Sequence, residues 1–267
     1  MPYKIVKKGE STILKKNIYP VKFIRTLEGG IAHLFLCNND LRYVIKFKND
    51  RHGTKELVNE YIANHLARLL YLPVVPYKRM YLKRNRIQSI NEKLKKRFKP
   101  GNQYASLFIE NCTGLPYPLP SFEKIENPHA LAGMIVFDHW IDNPSRDYKN
   151  ILFESLPKGR YHIHMIDHGS SFPGGYDWTA EKLKYGRGHV HDTVVYQWAM
   201  TFLKDRQLTS FIRRITSLSD QAIVKVIHSL PNDWNVSREE KDAFVAFLSK
   251  QKKLLPDLVS KFIRQYR

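Results

Sequence analysis

Residues 18–27, 31–37 and 41–48 carry the apolar-rich pattern of short strands, broken by Gly29-Gly30 and then by the polar turn Asn38-Asn39-Asp40. An antiparallel meander is expected. From Gly53-Thr54 the period changes: Leu57, Val58, Tyr61, Ile62, Leu66, Leu69 and Leu70 recur at three-to-four spacing, which predicts a helix closing before Pro73. Strand-like segments return at 74–82 and 105–109, with a polar, basic stretch between them. Beyond Cys112 the texture becomes helical. Residues 114–120 are Pro-rich and read as a linker, 130–141 as an apolar helix, and 193–203, 208–218, 220–230 and 238–264 as further helices, with Pro256 interrupting the last. A strand-rich part, residues 1–112, joined to a helical part, residues 113–267, makes a two-lobed α+β architecture. No internal repeat or low-complexity tract is present.

The length of 267 residues suits one large domain or two lobes around a cleft and excludes a disulfide-stapled mini-protein. Hydrophobic residues make up 43% and charged residues 26%, the balance of an ordinary globular chain, which excludes fibrous or wholly disordered classes. Two cysteines, Cys37 and Cys112, lack both a disulfide framework and zinc spacing. With no apolar run near the roughly 18 residues of a membrane span, and no signal-peptide core, a cytoplasmic protein without a membrane partner is expected. The charge is the unusual quantity, +19, and such a field attracts polyanions.

Residues 151–156 and 161–166, joined by Pro157-Lys158-Gly159, read as a hairpin that brings Asn150 beside Asp167. An Asn and an Asp at one end of a hairpin offer oxygen ligands to a hard cation, and Mg2+ takes only one or two protein oxygens alongside phosphates and waters. Protein kinases use such a pair, with a catalytic Asp five positions before the Asn. Asp167-His168-Gly169 is similar to their DFG element, but five positions before Asn150 stands Ser145, which cannot accept a proton as a carboxylate does. Asp142 and Asp147 are the nearby carboxylates.

The first lobe supplies matching parts. Alternation in 42–48 puts Val44 and Lys46 on one face and Tyr43, Ile45 and Phe47 on the other, so Lys46 can face a cleft, with Glu60 of the next helix as its partner. The loop at Gly29-Gly30 can approach phosphates with its backbone N–H groups. Each feature alone has a plain reading as a solvated lysine, a surface glutamate, a turn or a polar cap; their order along the chain carries the weight. The pairs His162/His164 and His189/His191 each share a face, yet no third ligand of convincing spacing follows, which favours packing or surface histidines over metal. Residues 172–178 form either a mobile substrate platform or a rigid, aromatic-anchored loop, while Phe137, Trp140, Trp198 and Phe202 read as core.

The motifs at 43–48, 56–61, 66–70 with 72–74, 101–106, 137–150 and 166–169 together resemble the HipA-like kinase family, in particular its short stand-alone branch, over about residues 25–175. The resemblance implies a bilobal protein-kinase-like fold, ATP with Mg2+, and phosphoryl transfer to a protein Ser or Thr. By position, Lys46 would hold ATP phosphates, Glu60 would orient it, and Asn150 and Asp167 would bind Mg2+. Gly29, Gly30 and Val44 would complete the nucleotide site, with the hinge at 106–112, including Ile109 and Glu110, facing adenine. Family members read Asn-x-Asp-Arg where this chain has Asn143-Pro144-Ser145-Arg146, so Asp147 or Asp142 is left as the base. A pseudokinase or nucleotide-binding regulatory module is the alternative that Ser145 favours. A basic nucleic-acid-associated protein is a second, which no helix-turn-helix, RNA-binding signature or finger supports. Through Cys112 the chain has 23 basic and 8 acidic residues, against 21 and 17 beyond it, and residues 78–99 alone hold ten basic and one acidic. ATP needs only a few cations, so this patch is expected to be solvated surface or a docking site for an acidic protein or polyanion.

Overall fold

Alternation along residues 42–47 sorts the side chains as expected. Tyr43, Ile45 and Phe47 are buried with Phe35, Met80, Leu82 and Phe98 in a compact cluster, while Val44 and Lys46 turn to the opposite side. A computed structural model describes residues 17–83, 98–186 and 188–267, and within them five antiparallel strands form the first sheet. These are β1 (Pro20–Thr26), β2 (Ala32–Cys37), β3 (Arg42–Lys46), β4 (Tyr77–Leu82) and β5 (Gly101–Leu107), in the order β1-β2-β3-β5-β4. Lys46 stands opposite Ala32 on one side and Tyr104 on the other. Helix α1 (Gly53–Leu69) sends Leu57, Ile62 and Leu66 into a second, larger core shared with the helices downstream, so it belongs energetically to both halves.

That larger core surrounds α2 (His129–Trp140), a helix apolar on every side and therefore central. Phe137 and Trp140 are fully buried, each contributing about 1.5–3 kcal/mol of hydrophobic stabilisation. A second sheet of β6 (Cys112–Thr113), β7 (Ile151–Leu156) and β8 (Arg160–Met165), in the order β6-β7-β8, lies beside it. The β7–β8 turn places Lys158 and Gly159 both at φ 64°, the left-handed geometry that tight hairpins require. The remaining helices are α3 (Ala180–Tyr185), α4 (Val194–Met200), α5 (Asp205–Thr216), α6 (Asp220–His228) and α7 (Arg238–Ile263). Ser237 and Glu240 start α7 with reciprocal side-chain-to-backbone bonds.

Several expectations need adjustment. Helix α7 runs through Pro256 without a break, because Leu255 and Val259 on either side are fully buried and outweigh the lost backbone bond. The short α3 and β6 carry too little periodicity to be foreseen. Residues 172–178 take the rigid alternative: Phe172 and Trp178 are buried against Phe244, and Phe172 also meets Phe247. Most of the basic stretch 78–99, residues 84–97, lies outside the described residues. Among the described residues no helix is long and apolar enough to cross a membrane.

The two halves are braced away from their covalent connection. The Asp233 carboxylate accepts from Lys48 Nζ at 2.9 Å, Asn102 N at 2.8 Å and Asn102 Nδ2 at 2.7 Å, and Trp234 Nε1 donates to Asn102 O at 2.8 Å. Gly101 makes this approach possible. A Cβ there would lie 2.3 Å from Asp233 Oδ2 and 2.4 Å from Lys48 Nζ, on a backbone at φ 124°.

Candidate active site

A cavity of about 1000 Å3 opens between the first sheet and the β7–β8 hairpin. Its lining includes Gly29 of the β1–β2 turn, Val44 and Lys46 of β3, Ile109 of the chain leaving β5, and Asn150 and Asp167 from the two ends of the hairpin. Pairing of Ile151 with Met165, extended by Ile166 N donating to Asn150 O at 3.3 Å, sets the last two side by side.

Lys46 is the electrostatic centre. Its Nζ lies 2.6 Å from Glu60 Oε1, 2.8 Å from Glu56 Oε1 and 2.9 Å from Asp167 Oδ1. Burial works against the ammonium charge, but the carboxylates of Asp167, Glu60 and Glu56 outweigh it and hold its pKa well above the ordinary value. Asp167 is drawn down to about 2, first by the Lys46 charge and against its burial, so it is an anion at any physiological pH. Glu60 moves up, because desolvation exceeds what Lys46 returns. Glu56 was not singled out as a partner, although a carboxylate one turn before Glu60 shares its helix face.

Asn150 donates from Nδ2 to Ser145 O at 2.6 Å, which leaves its amide oxygen as the acceptor. Asp167 sits at φ 56° with its side chain 40% exposed toward the cavity. This pair of hard oxygens fits Mg2+ in donor type and number.

Behind the pair, fully buried Arg146 ties the loop together. It donates from Nε to Asp138 Oδ2 at 2.9 Å and from Nη2 to Asp138 Oδ1 at 3.1 Å, and its Nη1 reaches Ile166 O at 2.7 Å and also Asn150 O. Asn143 Nδ2 and Tyr196 OH, each at 2.9 Å, complete the shell of Asp138. Arg146 Nη2 also lies 3.0 Å from His168 Nε2. Since guanidinium only donates, Nε2 is the acceptor and the ring proton sits on Nδ1. Burial and then Arg146 lower the His168 pKa to about 3, so this ring is neutral. Asn59, one residue before Glu60, donates from Nδ2 to the carbonyls of Gly169 at 2.7 Å, Ser171 at 3.0 Å and Gly175 at 3.1 Å. None of these supports announces itself by periodicity; an Asp inside an apolar helix, at 138, was the one available signal.

Five expected residues stand outside the cavity lining. Asp142 is buried on the far side of its loop, where its Oδ1 receives His189 N at 3.1 Å and lies 2.9 Å from His191 Nε2, so it does not reach the cavity as a base. Glu110 is exposed, outside the cavity lining, and pairs with Arg42 at 2.7 Å. Gly30 flanks the lining at φ 78° without being part of it. Ser145 Oγ is 2.6 Å from Ser170 Oγ and donates to Asn143 Oδ1 at 3.2 Å. Asp147 is exposed, with Oδ1 accepting from Lys149 N at 2.7 Å.

A sheet-rich lobe carrying a Lys–Glu pair, closed over a helical lobe that presents an Asn and an Asp, defines the class of protein-kinase-like folds. Solved structures agree with that class. The Helicobacter pylori proinflammatory kinase CtkA superposes with a TM-score of 0.57 at 14% identity, over 88% of this chain and 95% of that one. A golgi casein kinase superposes at 0.52 and 15% identity, over 93% of this chain and 75% of that one. No curated protein matches the chain by sequence. The sequence model of the HipA-like kinases matches residues 21–261, and the chain belongs to that family.

Proposed function

We propose that the chain is a serine/threonine protein kinase that binds ATP with Mg2+ in the cavity and phosphorylates a protein hydroxyl, residues 1–112 and 113–267 acting as its two lobes. The observation that carries this is Lys46, held charged at the back of the cavity between Glu60 and Asp167. When bound, Mg2+ supplies charge neutralisation across the phosphate oxygens. Asn150 and Asp167 would hold it, and Lys46 offsets negative charge that gathers on the transferred group. The substrate hydroxyl oxygen bonds to the γ-phosphorus as the bond to the β–γ bridging oxygen breaks, releasing ADP. Asp147, the exposed carboxylate in the same loop, takes the hydroxyl proton. With Ser145 at the position where the family carries its base, the rate is lower than a kinase with both groups, by up to about 10²- to 10⁴-fold.

The test is thermal stabilisation by ATP with and without Mg2+, together with label transfer to peptide libraries bearing only Ser, only Thr or only Tyr. We expect a Mg2+-dependent shift that Asp167→Ala removes, and label on Ser or Thr. Absence of any Mg2+-dependent shift overturns the nucleotide site. A shift without transfer, where Ser145→Asp does transfer, makes the chain a nucleotide-binding regulator, the reading favoured by Ser145 at the position of the expected catalytic Asp.

A further inference from the structure

We infer that Asp142, His189 and His191 form a Zn2+ site on the helical lobe, separate from the nucleotide cavity. Asp142 follows α2, and its Oδ1 lies 3.2 Å from His189 Nδ1 and 2.9 Å from His191 Nε2. One ligand atom from each of the three residues falls within 4.8 Å of the other two. Tetrahedral Zn2+ with ligands at about 2.0–2.2 Å separates neighbouring donor atoms by roughly 3.3–3.6 Å, so the two Asp–His separations need open by only a few tenths of an ångström to admit the ion. The third ligand lies far upstream of the His-x-His pair, which is why spacing within the pair's own segment does not show it.

The surroundings hold the donors in place. Gly188 packs so closely on α7 that a Cβ would meet Gln251 Nε2 at 1.5 Å, and this pins the start of the His-x-His segment. His139 donates from Nδ1 to Ile135 O at 2.7 Å, so its Nε2 accepts from His191 N at 3.3 Å and fixes that backbone from the buried side. The His189 side chain is 71% exposed, giving an entry path and room for water as the fourth ligand. Two imidazoles with one carboxylate are a borderline donor set that suits Zn2+, whereas Mg2+ and Ca2+ prefer oxygen throughout. The ion replaces the two His–Asp hydrogen bonds with metal bonds and leaves a local charge of +1. It ties residues 188–191, downstream of Asp167, to the loop that leads from Asp142 through Ser145 to Asn150.

The full chain, stripped of metal and held in millimolar Mg2+, is titrated with Zn2+ against a chromophoric chelator, with a parallel Co2+ absorption spectrum. We expect one equivalent bound, a rise in melting temperature without nucleotide, and the intense visible bands of four-coordinate Co2+. His189→Ala, a surface change, and His191→Ala each lower affinity at least about tenfold, since even outer partners of a metal ligand are worth that much. His162→Ala with His164→Ala leaves binding unchanged. Absence of stoichiometric binding, or equal binding by His189→Ala and the parent chain, overturns the assignment; should His191→Ala fail to fold, the His189 variant decides alone.

Discussion

Replacing Arg146 by Met tests the account of how the catalytic loop is held. The guanidinium is fully buried, and its removal strands the Asp138 carboxylate, which keeps only the bonds from Asn143 and Tyr196. Breaking a buried pair by removing one partner costs about 3–5 kcal/mol. For a chain of this size about 2–4 °C accompanies each kcal/mol, so the melting temperature should fall by roughly 6–20 °C. The sign of the pH dependence is specific. In the parent chain burial opposes ionisation of Asp138, but Arg146 overrides it and depresses the pKa, so that stabilisation is present at neutral pH and lost only as acid titrates the folded carboxyl. Without Arg146 the burial, the largest influence on this carboxyl, is opposed only by weaker contacts such as the Asn143 bond, so the carboxyl is raised and the variant regains stability relative to the parent chain as pH falls from 7 toward 5. Urea unfolding followed by circular dichroism at both pH values measures the difference. Asp138→Asn added to Arg146→Met should recover much of the loss by removing the stranded charge. A loss below about 1 kcal/mol at pH 7, or a double variant no better than the single one, would refute the reasoning.

Acid should unfold the chain early. His168 and His139 are held neutral by burial, at about 3 and about 4, well below 6.5, so below pH 6.5 the unfolded chain takes up protons first. Each costs about 1.4 kcal/mol per pH unit until its folded value is reached, a slope that calorimetric melts from pH 7 to 5 can read. Asp233→Ala removes the acceptor shared by Lys48 and Asn102, and chemical denaturation should show a loss of about 1–3 kcal/mol. Lys46→Met leaves Glu56, Glu60 and Asp167 without their cation; we expect phosphate transfer to vanish in the label assay and Mg2+-ATP stabilisation to weaken, and retention of either at the parent level would count against Lys46 as the phosphate contact.

Short-range patterns made much of this fold legible. The alternation at 42–47 located the inward and outward faces of β3, and the Pro157-Lys158-Gly159 turn was enough to put Asn150 next to Asp167. Pro256 misled because propensity is local, while the burial of Leu255 and Val259 is a property of the assembled core. Asp142 and Glu110 were misplaced for a related reason: proximity along the chain says which loop a side chain belongs to, not which way it points. The supports at Arg146, Asn59 and Asp233 were invisible since their partners lie up to 185 positions away and share no period with them.

The Asn59 amide gathers three carbonyls from 169–175 while Glu60, the next residue, holds Lys46. Helix α1 and the chain after Asp167 are thereby tied to one another. Small molecules that need this chain swung away from the helix face an energetic penalty before they make any contact, whereas compounds that accept the closed arrangement do not. Selective ligands for the cleft are therefore best sought among shapes that follow Val44 and Ile109 and leave the helix-bound segment where it is.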